Sequence, residues 1–204
     1  MGRTLLRGGT VILALASAAH AGGAGAEAQG PVPGLYRIGT GSELAYQVRH
    51  PLHVVRGTSG DVRGELRLAE AEPWLETPAR IVAPLAAFSS RNRNRDSNAL
   101  AALGASRHPV VALTLRGLRA APAAHGGAAW ERSGTAEADL DVQGVTRPVT
   151  VRWNASQPER DRLEVRAAFS FSLAAHGVER PALFLVPIDD RVEIESRLAA
   201  VRRN

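Results

Sequence analysis

The feature that most constrains this chain is a period-two alternation of apolar and polar residues that runs, with few interruptions, from Glu43 to Ala200. Successive side chains of a strand point to opposite faces, so each alternating run reads as a strand with one dry face and one wet face. Leu163, Val165, Ala167, Phe169, Phe171 and Leu173 hold one parity for eleven residues. Leu44, Tyr46 and Val48 do so within Glu43–Arg49, Val62, Leu66 and Leu68 within Asp61–Leu68, and Val111, Leu113 and Leu115 after Pro109. Val192, Ile194, Ser196, Leu198 and Ala200 supply the last run. The strongest hairpin lies between Thr135 and Trp153. Ala136, Ala138, Leu140 and Val142 alternate with acidic residues, Gln143-Gly144 turns, and Val149, Val151 and Trp153 return.

The connections fit the same reading. Gly57-Thr58-Ser59-Gly60 offers a turn or bulge, Pro73–Pro78 is a connection carrying Trp74, and Ala120–Gly127 is a flexible hairpin loop. Arg80–Phe88 is a further strand, with Pro84 placing it at an edge or bulge. Roughly eight or nine strands without a βαβ rhythm make the class all-β and antiparallel. A sandwich shares this pattern. Closure into one eight-stranded barrel removes every edge and leaves an interior for side chains or one extended ligand. Small inward residues such as Ala136, Ala138 and Ala167 leave room there.

Phe88–Pro109 breaks the alternation and reads as a polar loop feeding one short helix, a lid or mouth for the barrel. Ser97 or Asn98 supplies the capping oxygen, Ala99–Leu103 are good helix formers, and Gly104 is the stop. Arg91, Arg93 and Arg95 form the local basic cluster, open to two readings, a solvated loop or an anion-facing patch. Arg95-Asp96 carries two readings as well. Asp96 bonds free helix N–H groups or pins Arg95 in a local ion pair, or else Arg95 meets a phosphate or carboxylate head group.

Arg3 and Arg7, the apolar run Val11–Ala19 and the small-x-small pattern Ala19-His20-Ala21 read as an export signal over residues 1–21. Cleavage is expected after Ala21, with Ala28 as the alternative site, and residues 22–34 as a disordered lead-in. The apolar run is too short for a bilayer span of about 20 residues, so no integral membrane span is expected. A periplasmic product, or a secreted one, is the expected localisation. All 25 basic residues are arginine, and without Arg3 and Arg7 the remaining 23 face 20 acidic residues. That balance, spread along the chain, argues against nucleic acid as a partner. No cysteine is present, which excludes disulfides and thiolate metal sites.

Searches for chemistry give little. No Gly-x-Ser-x-Gly elbow or phosphate-cradling glycine loop occurs, and Asp139/Asp141 and Glu193/Glu195 take outward parity. His50 and His53, three apart in an extended segment, would point to opposite faces, and His50 and His108, each before proline, are expected to bond backbone in turns. With nine aromatic residues in all, the girdles of an outer-membrane barrel are missing. No catalytic residue, metal or cofactor is expected.

Several ordered segments resemble the YceI-like family of exported, lipocalin-like barrels described as lipid- or polyisoprenoid-binding. They are Ser42–His53, Val55–Ser59, Phe88–Asn98, Arg107–Val111, Leu140–Val149 and Glu179–Phe184, and together they cover nearly the whole chain after the leader. The family's loop reads Phe, a small residue, Ser or Thr, Gly, Asn, two variable residues, Arg-Asp, one variable residue and His. Phe88, Ser90, Asn92, Arg95 and Asp96 match it, whereas Arg91 replaces the Gly and Asn98 the His. The resemblance implies a single eight-stranded antiparallel barrel over residues 35–204 whose interior reversibly holds one long hydrophobic molecule. That molecule would be a polyisoprenoid, an acyl chain or a quinone-like lipid. The residues expected to contact it are Leu44, Tyr46, Val48, Phe88, Arg95, Asp96, Leu113, Leu140, Trp153, Phe169, Phe171 and Phe184. The alternative is an envelope stress or redox accessory that uses the barrel as an interaction scaffold without a dedicated lipid. A monomer or a homodimer fits either.

Overall fold

The computed structural model describes residues 30–121, 130–183 and 186–203. The leader, most of the lead-in, the Ala120–Gly127 loop beyond Ala121, His125 and Phe184 lie outside these residues. One sheet contains β1 (Gly34–Ile38), β2 (Glu43–His50), β3 (His53–Ser59), β4 (Arg63–Leu68), β5 (Ala79–Pro84), β6 (Val110–Ala120), β7 (Trp130–Val142), β8 (Val145–Glu159), β9 (Arg162–Ser172) and β12 (Arg191–Arg202). A two-strand ladder joins β10 (Ala182–Leu183) to β11 (Val186–Pro187), and α1 (Arg93–Ala102) lies between β5 and β6.

The ten segments of the main sheet make eight staves. β1 and β2 lie end to end along one edge of β12, with Ile38 opposite Ala200 and Glu43 opposite Arg197. β4 and β3 lie end to end along β1 and β2 in turn. Pairing then runs through β5, β6, β7, β8 and β9 back to β12, which closes an eight-stranded antiparallel barrel. Closure leaves no strand of this sheet as a free edge along its whole length.

The alternation maps onto this wall as expected. Tyr36, Val62, Leu66, Leu68, Ala136, Ala138, Leu140, Val151, Leu163 and Ala200 are buried inward, and the intervening arginines and carboxylates face out. In β6 the register slips between Leu115 and Gly117. The bulge resets parity, so Leu118 joins Leu113 and Leu115 on the inner face. The Gln143-Gly144 hairpin turns with φ of 56° and 76°, the two positive values that a type I′ turn requires.

Four local expectations are corrected. Gly57 is a strand residue inside β3, not a turn: a Cβ there would sit 2.4 Å from the Tyr46 ring, so glycine makes the space in which that ring lies. Arg80–Phe88 is not one strand, because β5 ends at Pro84, where its outer edge has already left β4, and Leu85–Ala87 form a 3₁₀ turn. Helix α1 starts earlier than the Ala-Leu run suggests. Asn92 caps it, its Oδ1 accepting from Arg95 N at 3.1 Å, so Ser97 and Asn98 fall inside the helix rather than at its cap. Its end is as expected: Gly104 at φ 59°, with Ala105 N donating to Leu100 O and Gly104 N to Ala101 O, closes a Schellman motif. Finally, the lead-in is not disordered through Gly34. Val32 N donates to Gln157 Oε1 at 2.8 Å and Gly34 begins β1.

Candidate ligand-binding cavity

The barrel encloses a cavity of about 660 Å³, within the roughly 300–1,000 Å³ of small-molecule sites. One end is sealed. The Tyr36 hydroxyl donates to Val32 O at 2.7 Å, and Gln157 Nε2 donates to the Tyr36 oxygen at 2.8 Å and to Arg160 O at 3.0 Å. This network ties the Gly30–Pro33 segment across the barrel, with Pro31 reaching the cavity. Above it Trp74 packs edge-on against Trp130 at 5.3 Å and Trp153 at 6.4 Å between ring centres. Trp153 was expected in the lining; Trp74 and Trp130 were not. Trp130 was legible: it shares the even parity of Ala136 and Leu140 on the same strand. Trp74 was not, because nothing in a proline-flanked connection says which way its side chain turns.

The other end is open. There β3 parts from β5, with Thr58 and Ser89 joined by a single two-bond bridge, and α1 lies over the gap without burying any residue. The pair Arg95-Asp96 does not form the expected internal ion pair, nor does Asp96 cap the helix. Both residues grip Ser90. Asp96 accepts from Ser90 N at 3.0 Å and from the Ser90 hydroxyl. Arg95 donates from Nε to Ser90 Oγ and from Nη2 to Ser90 O, both at 2.8 Å. Tyr46, 5.9 Å from the Phe88 ring between centres, brings its hydroxyl to the same cluster. Burial, and after it the Asp96 charge, holds that hydroxyl above the ordinary tyrosine range. Arg91, where the family has Gly, sits at φ 61° just before this clamp.

His50 and His53 are not on opposite faces. Pro51-Leu52 is a tight turn, so the two are cross-strand partners with ring centres 5.2 Å apart. Leu52 N donates to His50 Nδ1 at 3.2 Å, which leaves Nε2 to carry the proton toward Val186 O, also at 3.2 Å. His50 therefore bonds backbone as expected. His108 instead stacks on the turn at Gly144, where a Cβ would lie 2.7 Å from its Cε1. Among the described residues no group of three or more His, Asp or Glu could hold a metal ion, and no helix is long and apolar enough to cross a membrane.

Leu44, Tyr46, Val48, Leu113, Leu140, Trp153, Phe169 and Phe171 line the cavity wall, Phe88 lines it ahead of α1, and Arg95 and Asp96 line it from the first turn of α1. Phe184 cannot be placed with them, lying outside the described residues. The lining is thus mainly aliphatic and aromatic, with its charged groups, Arg95 and Asp96, gathered beside Tyr46 and held there by Ser90, and with His50, His53, Asn92, Asn98 and Ser196 as its other polar side chains.

Fold and cavity together define a closed antiparallel barrel around a deep apolar chamber with one open end. The profile of the YceI-like domain matches residues 36–200, and the chain belongs to this family. No curated protein shows significant similarity. Solved structures share the fold. A polyisoprenoid-binding domain from Saccharophagus degradans, implicated in plant cell wall breakdown, is 16% identical over 82% of this chain and 98% of its own, with a TM-score of 0.67. BcnA of Burkholderia cenocepacia is 15% identical over 78% of this chain and 96% of its own, with a TM-score of 0.63. The YCEI protein of Campylobacter jejuni is 11% identical over 74% of this chain and 86% of its own, with a TM-score of 0.55.

Proposed function

We propose that the chain is an exported, non-enzymatic carrier that reversibly holds one long hydrophobic molecule in the barrel. An isoprenoid or acyl tail, with a quinone-like lipid in the same class, lies along the apolar wall toward the tryptophans. Its polar head stays at the corner formed by Tyr46, Ser90, Arg95 and Asp96. The continuous apolar chamber of about 660 Å³ carries this reading. A dry apolar void costs on the order of 24 cal/mol per Å³, so a chamber of this size left empty would cost about as much as the entire 5–15 kcal/mol stability of a domain. Water is a poor filler, needing two to four polar partners that so apolar a lining offers in few places. A hydrocarbon tail fills the space and gains about 25 cal/mol per Å² of apolar surface. That attraction is non-directional, so chain identity is weakly specified and the head group carries the selectivity.

Export through the 1–21 leader to the periplasm, as a monomer or homodimer, completes the proposal. Protein purified without detergent from its native compartment, examined by native and then denaturing mass spectrometry, should carry stoichiometric long-chain lipid and begin after Ala21 or Ala28. A protein that retains no lipid and rebinds none sinks the carrier reading and leaves the interaction scaffold.

A further inference from the structure

The exposed large apolar side chains are not scattered. Leu52, Val54 and Val186, 70%, 51% and 42% exposed, gather at the open end, while Val201 lies toward the sealed one. Leu52 and Val54 belong to the β2–β3 hairpin, and the bond from His50 to Val186 O fastens the β10–β11 ladder beside it. Arg49 stands directly across from Val54 on the outer face, and Arg56 follows two residues on. Arg180 flanks the ladder, its Nη1 donating to Ile188 O at 3.3 Å. Among the described residues none of these three arginines meets a carboxylate within ion-pair distance. The carboxylates of this rim are Glu179, Asp189 and Asp190; the Asp189 Oδ1 accepts from Arg191 N at 3.4 Å, and Asp190, whose Oδ1 accepts from Ala174 N at 2.8 Å, lies within the field of Arg180. His50, His53, Val178 and Ile188 of the same rim line the cavity, so the patch borders the opening.

We infer that this rim docks on an anionic lipid bilayer, with Leu52, Val54 and Val186 inserted among the head groups and Arg49, Arg56 and Arg180 on the phosphates. The inference rests on the carrier reading above. An apolar tip ringed by long basic side chains is the composition of an interfacial anchor, since the arginine stems lie along the apolar boundary and the guanidinium groups stay wet. Loading requires such contact. Each buried CH₂ slows escape of a chain through water about fourfold, so a long isoprenoid exchanges usefully only when the opening meets the membrane that dissolves it.

The test uses the full mature chain and two probes: geraniol, soluble and read by tryptophan emission, and a dansyl-labelled polyprenol in vesicles, read by energy transfer from Trp74, Trp130 and Trp153. Wild-type protein should co-sediment with phosphatidylcholine vesicles doped with phosphatidylglycerol, and its polyprenol uptake rate should rise in proportion to vesicle concentration. Leu52→Ser with Val54→Ser should weaken vesicle binding at least about tenfold, and Arg49→Gln with Arg56→Gln roughly fivefold per charge. Both pairs should keep wild-type geraniol binding, because none of the four residues lines the cavity. Uptake independent of vesicle concentration, or variants that co-sediment like wild type, overturns the docking. Geraniol binding without vesicle binding sinks the docking alone, and loss of both probes by wild type sinks the carrier reading with it.

Discussion

The two ends of the barrel are built from the same alternating strands and differ in almost everything else. At the sealed end the backbone is paired on both sides: β1 runs between β4 and β12, and Tyr36, 0% exposed, has its hydroxyl bonded twice. At the open end the staves part, β3 from β5 and the first half of β8 from β9, and the gaps are covered by a helix with no buried residue and by the 3₁₀ turn Ala174–His176. A strained residue, Arg91, and three exposed apolar side chains sit at this end. The contrast shows where each property resides. Stability is concentrated where strand pairing and side-chain packing are complete. Access to the chamber lies where they are incomplete, in the low-stability elements from which moving parts are drawn.

The largest expected effect tests the first half of that division. Trp130→Ala deletes a side chain only 7% exposed that packs edge-on against Trp74, and should cost about 3–5 kcal/mol in denaturant unfolding. A cost below about 1 kcal/mol would mean the tryptophan end is not the stable one. Next in size is Gln157→Leu, which keeps the volume and removes the amide that bonds Val32 N, Tyr36 Oη and Arg160 O. Leaving these groups unpaired should cost about 1–3 kcal/mol. It should also speed amide exchange at Val32, while amides of α1 exchange as in wild type. Equal acceleration at both ends would break the comparison.

The barrel wall was legible in the sequence because a half-buried strand has a period that packing cannot disguise: Leu163 to Leu173 keep their parity from one end of β9 to just beyond the other. Legibility failed where geometry depends on who meets whom across space. His50 and His53 were read as an extended pair because their turn comes from the β2–β3 register, which sequence spacing does not contain. Gly57 looked like a turn residue. Only the cross-strand Tyr46 ring reveals that its missing side chain is needed for room. The roles of Arg95 and Asp96 failed similarly, since two opposite charges in sequence suggest each other and not the Ser90 that both hold. The fold family and most of the cavity lining were visible from motif order and parity. The polar corner's wiring and Trp74 were not.

The smallest effect has the opposite sign and sharpens the comparison at the open end. Arg91 adopts φ 61° with its backbone N donating to Ser89 Oγ at 3.1 Å, and its side chain is exposed. A non-glycine residue held in the left-handed region costs about 1–2 kcal/mol. Glycine removes that cost but gives back about 0.5–1 kcal/mol through the greater freedom of the unfolded chain. Arg91→Gly, which restores the residue the family's loop carries there, should therefore stabilise the protein by about 0.5–1 kcal/mol. That is a rise of roughly 1–4 °C in Tm for a chain of this size. Binding of a neutral and an anionic lipid of equal chain length, measured on the same variant, then separates two uses of the strain. If the guanidinium faces an anionic head, affinity for the anionic lipid falls while the neutral one is unchanged. If both affinities hold and only Tm rises, the loop at the open end carries a strain that the lid tolerates and the ligand does not use. A fall in Tm would show that Arg91 is held by contacts worth more than its backbone costs, and the open end would no longer be the strained one.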